Sequence, residues 1–245
     1  MDLKRHALLD ITDRGREAIL AELSGTGPES GTLREKYAQI VLPHAAGARV
    51  PGIARREEGA PRPGFIPVGF SAPVAGNEGR LRVAAFVRQA EVLHITTPYE
   101  LLSLSTVTPR NPCNTALALA SEQAQALGLV IGVWGSAALE LYTGLPCTHQ
   151  DSDLDLLVAV APREALSCLL DKIAAIESRL GLRIDVELEL ANGYGVHLKE
   201  LFGAGQTVLG KSLSDVVLLP REKILAELPQ AGPLPLRATA GGLCV

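Results

Sequence analysis

WGSAALELYTGLPCTHQDSDLDLLV (Trp134–Val158) holds the features that decide how this chain is read. It begins where an apolar run of buried-strand length, LVIGVWG (129–135), ends at Gly135-Ser136. SAALELYTG reads as a short helix starting at Ser136 and closed by Gly144. The stretch then runs into DLDLLVAV (153–160), a leucine and valine segment suited to a second buried strand. Asp151, Asp153 and Asp155 crowd its entrance. A carboxylate is costly to desolvate without a partner, so these acids either face water at a loop or hold a cation. Strand alternation projects Asp153 and Asp155 from one face, where they can share divalent cations through oxygen ligands. Mg²⁺, with Mn²⁺ as the other candidate, suits one or two carboxylates combined with substrate phosphates. Asp151 has the same parity but precedes the strand, which predicts a solvated or capping role.

Working outward, APREALSCLLDKIAAIESRLG (161–181) is a well-marked helix, with Pro162 early and Gly181 late. LRIDVELEL (182–190) alternates strictly, placing Arg183, Asp185, Glu187 and Glu189 on its polar face. If this strand pairs with DLDLLVAV, Asp185 completes a three-carboxylate cluster able to hold two metal ions, whereas Glu189 reads as a solvated position. Asn192-Gly193 is a favoured hairpin turn that returns the chain through YGVHLKELF, and QTVLGKSLSDVVLLP gives a last strand region. Upstream, Asn111 and Pro112 supply the cap and first turn of a helix, NPCNTALALASEQAQALG, that Gly128 closes. At the Gly135-Ser136 turn, free backbone N–H groups and the positive end of a helix dipole suit a phosphate. A Gly-Ser turn, a D-x-D or a lone strand acid each has an ordinary structural explanation. Their succession in this order points to metal-dependent phosphate chemistry.

The first 105 residues are different in texture. Pro, Gly and Arg punctuate ARVPGIARREEGAPRPGFIPVGF and LRVAAFVRQAEVLHITTP into short strands, and TDRGREAILAEL, capped by Thr12 or Asp13, is the only early helix expected. The organisation predicted is a smaller β-rich N-terminal domain, 1–110, and a catalytic domain, 111–245, whose Pro/Gly-rich tail (228–245) is loosely held. Of 245 residues 47% are hydrophobic and 20% charged, ample for a core, and the net charge of −4 offers no overall basic field for nucleic acid. Cys113, Cys147, Cys168 and Cys244 form no C-x-x-C pair and the five histidines are scattered, so neither zinc nor disulfides are expected. MDLKRHALLD lacks the apolar core of a secretory leader, and no stretch approaches the roughly 20 apolar residues of a membrane helix. A soluble cytoplasmic protein with no membrane or nucleic-acid partner is expected.

Gly-Ser, then D-x-D, then a later strand acid is the signature of the nucleotidyltransferase superfamily. Within it, Trp134–Val158 resembles malonate decarboxylase holo-acyl-carrier-protein synthase, also called phosphoribosyl-dephospho-CoA transferase. Shorter similarities lie at Arg5-His6, Ala54-Arg55-Arg56, Pro67-Val68-Gly69, RIDVEL (183–188) and VLGKS (208–212). The chain departs from the family at Leu139, where an aromatic is usual, at Val186, where glycine is usual, and at Lys199-Glu200 in place of Arg-Glu. None of these removes a carboxylate.

The resemblance implies an α+β fold whose C-terminal half is a nucleotidyltransferase-like mixed β-sheet with flanking helices. It implies an enzyme that takes 2′-(5″-triphosphoribosyl)-3′-dephospho-CoA as donor. The acceptor would be a serine of the apo acyl-carrier protein of malonate decarboxylase, with pyrophosphate released. Asp153, Asp155 and Asp185 would hold the metals, with Asp185 nearest the attacking oxygen. Gly135 and Ser136 would hold the β- and γ-phosphates. Lys199, which shares strand parity with His197, and Lys211 are candidates to reach the triphosphate. Arg5, Arg55 and Arg56 would bind phosphates or meet an acidic carrier protein. His6 is structural or functional, Trp134 is expected in the core behind the Gly-Ser turn, and Cys147 is expected to pack in a loop. Two other functions stay open: a nucleotidyltransferase using an ordinary NTP on a small alcohol such as an aminoglycoside, and a non-catalytic carrier-protein-binding module.

Overall fold

The computed structural model describes residues 3–25, 29–43, 48–73 and 80–230, and the strands among them form two sheets. β1 (Leu8–Ile11), β2 (Gly52–Ala54), β3 (Phe65–Pro73), β4 (Arg80–Arg88) and β5 (Val92–Thr96) make the first. It is antiparallel throughout, in the order β4-β3-β2-β1-β5. Helix α1 (Asp13–Ser24) follows β1 and is capped as anticipated by Thr12, whose hydroxyl accepts from the Gly15 N–H. Helix α2 (Ser30–Val41) was not anticipated. It has no side-chain cap and buries only Ile40 and Val41, so its local signal is weak and packing against α1 makes the helix. Arg16 ties these pieces together: fully buried, it donates to the carbonyls of Ile11, Val41 and Val50. Leu9, Ile11, Leu20, Val68 and Phe70 fill the core beneath.

The second sheet begins after α3 (Pro98–Leu104), a short helix also not anticipated, which Thr97 and Glu100 close with a reciprocal capping box. Its elements are α4 (Pro112–Ala126), β6 (Ile131–Trp134), α5 (Gly135–Thr143), β7 (Leu154–Ala159), α6 (Arg163–Leu180), β8 (Ile184–Glu189), β9 (Gly195–His197), α7 (Leu198–Leu201), β10 (Thr207–Lys211), β11 (Val216–Pro220) and α8 (Arg221–Glu227). The strand order is β11-β10-β9-β8-β7-β6. Only the β7–β8 pairing is parallel, with α6 as the crossover, so the sheet is mixed and the α+β class expected from the sequence holds. Asn111 caps α4 through the Asn114 N–H, and Gly144 and Gly181 end α5 and α6 in left-handed conformations, all as the sequence predicts.

An expected strand also ends early. The strand returning from Asn192-Gly193 stops at His197, and LKEL turns into α7. Leu198 and Leu201 are buried, and helical spacing brings both onto the core side. Helix α8 was also unforeseen. Residues 231–245 lie outside the described chain, and the expectation of a loose tail falls mostly there.

Leu154, Leu156 and Val158 of β7 and Ile184, Val186 and Leu188 of β8 are all at most 1% exposed and pack toward Leu117 and Ala120 of α4 and Leu166, Leu169 and Ile173 of α6. Truncating one such leucine to alanine costs about 2–5 kcal/mol. Strand alternation therefore sends Asp155, Asp185 and Glu187 to the opposite face. On that side the N-terminal segment crosses over: Lys4 meets Glu189 at 3.1 Å and Arg5 meets Glu187 at 2.9 Å, while Leu8 and Ile53 join the core of the second half.

Candidate active site

The parallel register sets Asp155 directly opposite Asp185. Asp153 lies just ahead of β7 with its side chain 44% exposed, while that of Asp185 is 23% exposed. Burial, with the charges of Asp185, Asp153 and Glu187 added to it, pushes the Asp155 carboxyl up to about 7. Such a cluster of acids lacks positive charge, and Arg183 supplies some of it. Its Nη2 stands 2.7 Å from Asp153 and 3.2 Å from Asp185, on the open side of the cluster. His197 Nε2 approaches the other oxygen of Asp185 at 3.3 Å.

Among the described residues no three acidic, histidine or cysteine side chains already stand at the spacing of a metal site. The donor set still fits a hard cation. It is all carboxylate oxygen, an exposed guanidinium bridges two of its members, and the third carries an elevated pKa that a bound cation would reverse.

Gly135 is bound to this cluster sterically. Its φ of 68° favours glycine, and a Cβ built there would overlap Oδ2 of Asp155 and lie 3.1 Å from its Cγ. The glycine is thus needed twice, for its own backbone and for the carboxylate beside it. Trp134, at the N-cap position of α5, offers no side-chain cap, so the first N–H groups of the helix are left for another acceptor. Arg80 of β4 donates to the Ser136 hydroxyl and, at 3.4 Å, to the Cys147 carbonyl.

Between these groups and the first sheet lies a cavity of about 490 Å³, lined by Trp134, Gly135, Ser136, Leu139 and Asp155 on one side and by His6, Ile53, Arg55, Phe70, Arg80 and Arg82 on the other. Trp134, expected in the core, is instead a half-buried wall of this cavity. Its indole N–H donates to the Leu156 carbonyl at 3.3 Å and its ring stacks on His6 at 3.9 Å, 22° from parallel.

His6 itself has φ 63°. Its side chain meets Glu187, two residues beyond Asp185 on the same face and only 5% exposed. Arg5 Nη1 lies 2.9 Å from it, His6 Nε2 3.4 Å and Lys211 Nζ 3.8 Å. Burial raises the Glu187 carboxyl, but the His6 hydrogen bond and the charge of Arg5 outweigh it and take the group down to about 2.

Residues 4–98 match the family model for the phosphoribosyl-dephospho-CoA transferase MdcG N-terminal domain, and residues 101–222 match that for the MdcG C-terminal domain. The phosphoribosyl-dephospho-CoA transferase of Xanthomonas euvesicatoria pv. vesicatoria is 36% identical over 176 residues, 71% of this chain and 80% of that protein. This chain belongs to the phosphoribosyl-dephospho-CoA transferase family. Transferases of the same name from Xanthomonas campestris pv. campestris and Bradyrhizobium diazoefficiens are 33% identical over 182 residues (74% of this chain, 83% of that protein) and 31% identical over 159 residues (65% and 70%). No solved structure matches.

In this transferase the basic residues singled out from sequence are not all gathered at the cavity. Arg55 lines it, in an ion pair with Glu58 at 3.1 Å, but Arg56 does not. Lys211 belongs to the group around Glu187. Lys199 is turned elsewhere. It sits on α7 rather than on a strand, so the parity shared with His197 is lost, and its ammonium binds Glu177 at 2.6 Å and the Ile184 carbonyl at 3.2 Å. Sequence reasoning missed Arg80, Arg82, Arg183 and Glu187. The alternation of Arg80 and Arg82 at the start of RLRVAAFVR was a usable signal, because it puts both on one strand face. Glu187 has the parity of Asp185, but nothing local distinguishes a clamped acid from a solvated one.

No helix among the described residues is long and apolar enough to cross a membrane. Cys147, expected as loop packing, is buried below Arg80 with burial pushing its thiol up.

Proposed function

We propose that this transferase moves the 2′-(5″-phosphoribosyl)-3′-dephospho-CoA group from its triphosphoribosyl donor to a serine hydroxyl of the apo acyl-carrier protein of malonate decarboxylase. The chemistry is that of a nucleotidyltransferase. The serine oxygen attacks the α-phosphorus in line, a phosphodiester P–O bond forms, and the bond to the β-phosphate breaks with its electron pair leaving on pyrophosphate. The observation that carries the reading is Asp155 in register with Asp185 and in steric contact with the Gly135 turn, which joins a carboxylate cluster to a phosphate cradle.

Asp153, Asp155 and Asp185 would hold Mg²⁺ or Mn²⁺, which when bound neutralises the triphosphate and acidifies the attacking hydroxyl. The free N–H groups at the start of α5 and the Ser136 hydroxyl receive the β- and γ-phosphates. Asp185, which His197 approaches at 3.3 Å, is the carboxylate to which we assign the serine proton. Arg55 at the cavity wall adds positive charge to the donor side, and the partly exposed Arg56 beside it is assigned to the acidic carrier protein. The described cysteines are unpaired thiols, in keeping with work in the reducing cytoplasm.

Incubation of the apo carrier protein with this chain, donor and Mg²⁺ should add the mass of the prosthetic group to one serine, read by mass spectrometry. Turnover of ATP with an aminoglycoside, and none with the triphosphoribosyl donor, would overturn the proposal. So would undiminished pyrophosphate release by Asp153→Ala.

A further inference from the structure

Arg80 stands out among the arginines around the cavity. Arg55, which lines the cavity with it, holds a carboxylate at 3.1 Å, as do Arg5 and Arg183 outside the lining at 2.9 and 2.7 Å. Arg80 holds none among the described residues. One nitrogen of its guanidinium is spent on Ser136 and Cys147, while Nε and Nη2 are shielded from solvent and have no hydrogen-bond partner. A guanidinium with two unused, desolvated donors is costly unless an anion completes it. The arginine fork matches phosphate oxygens in a bidentate manner, which is what two adjacent free donors require.

Its surroundings agree. Arg82, two residues on along β4, faces the same cavity with no carboxylate partner among the described residues, and the uncapped start of α5 lies across from it. Three independent sources of positive potential thus converge beside Asp155: two strand arginines and a nine-residue helix. The remaining wall, Ile53, Phe70, Val83 and Leu139, is apolar and keeps the local dielectric low.

We propose that Arg80, reaching from the N-terminal sheet to Ser136, binds the polyphosphate of the donor at the end that leaves as pyrophosphate, so that the first sheet is a working part of the donor site. This rests on the transfer reaction proposed above but is tested apart from it. Arg80 is a donor-binding residue. It neutralises charge on the leaving group and, through the Ser136 hydroxyl, fixes the turn on which the phosphates rest. Arg82, more exposed, assists at the cavity mouth.

The probe is inorganic tripolyphosphate, titrated calorimetrically into the full-length chain in the presence of a chelator. Wild type should bind it, Arg80→Gln should bind about tenfold more weakly, and Arg80→Lys should recover part of the loss. Arg14→Gln, at an exposed arginine bonded to Glu91, should bind as wild type. In the wild-type protein, tripolyphosphate should slow modification of Arg80 by phenylglyoxal, read by peptide mass spectrometry. This arm holds even if Arg80→Gln does not fold. Equal tripolyphosphate affinity in folded Arg80→Gln, or unchanged labelling of Arg80 with saturating tripolyphosphate, would overturn the proposal. A failure of the carrier-protein transfer assay with wild type would instead sink the reaction and leave these measurements standing. With transfer established, Arg80→Gln should lower kcat/KM for the donor at least about tenfold and leave the KM for carrier protein unchanged. Equal loss toward both substrates would mark a general structural role and refute it.

Discussion

Asp155 and Glu187 face the same side of one sheet, on neighbouring strands, yet their carboxyls are driven in opposite directions, to about 7 and about 2. Both are largely buried, so desolvation does not separate them. What separates them is the permanence of their cations. Glu187 is enclosed by the cations Arg5 and Lys211, delivered by the N-terminal segment and by β10, and lies 3.4 Å from His6, whose pKa burial lowers. Asp155 makes no ion pair among the described residues: acids crowd it, and the exposed Arg183 holds Asp153 and Asp185 instead. One acid is satisfied by the fold; the other is not, which is the contrast the proposed cation site predicts.

The sharpest way to break this contrast is to neutralise each acid. Asp155→Asn should lower transfer by about 10³-fold or more, a loss of several kcal/mol in transition-state stabilisation. It should nevertheless leave the unfolding free energy in chelator unchanged or raised, because a repelled charge has been removed. Glu187→Gln should do the reverse in emphasis, strand Arg5 in a buried setting and cost about 3–5 kcal/mol of stability in urea titrations. If both variants lose stability alike, the division into cation site and clamp is wrong.

Gly135→Ala comes next. The positive φ alone costs about 1–3 kcal/mol, and the new Cβ must also displace the Asp155 carboxylate. A loss of activity larger than the loss of stability, with the sheet intact by circular dichroism, is expected. Activity falling only in step with the folded fraction would reduce Gly135 to a turn residue.

The pH dependence carries the same contrast in smaller increments. Asp155 is raised from its ordinary 3.8, so the folded state binds the extra proton and stability contributed by this group falls as pH climbs from about 4 toward 7. Glu187 is lowered from 4.5, so its contribution is full above that value and disappears as pH falls toward 2. In chelator, the stability difference between Asp155→Asn and wild type should therefore widen between pH 4 and pH 7. The difference for Glu187→Gln should shrink below pH 4.5. Parallel curves for the two variants would remove the electrostatic distinction.

Much of the C-terminal half was legible because its signals are local. The Asn111 cap, the Gly-Ser turn, the alternation of β8 and the left-handed glycines at 144 and 181 each act within a few residues, and their order along the chain implied the pairing of β7 with β8. Helix α2 and the turn into α7 were not legible, since buried contacts with distant segments decide them against weak local preferences. The same limit applied to the candidate site. Asp153, Asp155 and Asp185 were singled out by spacing alone. The fate of Glu187 depends on Arg5, 182 residues away, and the role of Arg80 on Ser136, 56 residues away. Lys199 shows the opposite error, in which a parity argument fails once the strand beneath it becomes a helix.

The smallest expected effect tests the word permanence. Arg183 and Arg5 both sit on carboxylates at short range, 2.7 and 2.9 Å, but the Arg183 side chain is 63% exposed and that of Arg5 15%. A solvent-exposed pair is screened by water, so Arg183→Gln should leave stability close to that of wild type, whereas Arg5→Gln should approach the cost of Glu187→Gln. Because Arg183 occupies the open side of the acid cluster, its removal should also lower the Mg²⁺ concentration needed for half-maximal transfer, by a few-fold at low ionic strength and less as salt is added. If Arg183→Gln instead proves as destabilising as Arg5→Gln, the guanidinium over Asp153 and Asp185 is a fixed structural cation, and the carboxylate cluster is a second clamp rather than a site kept open.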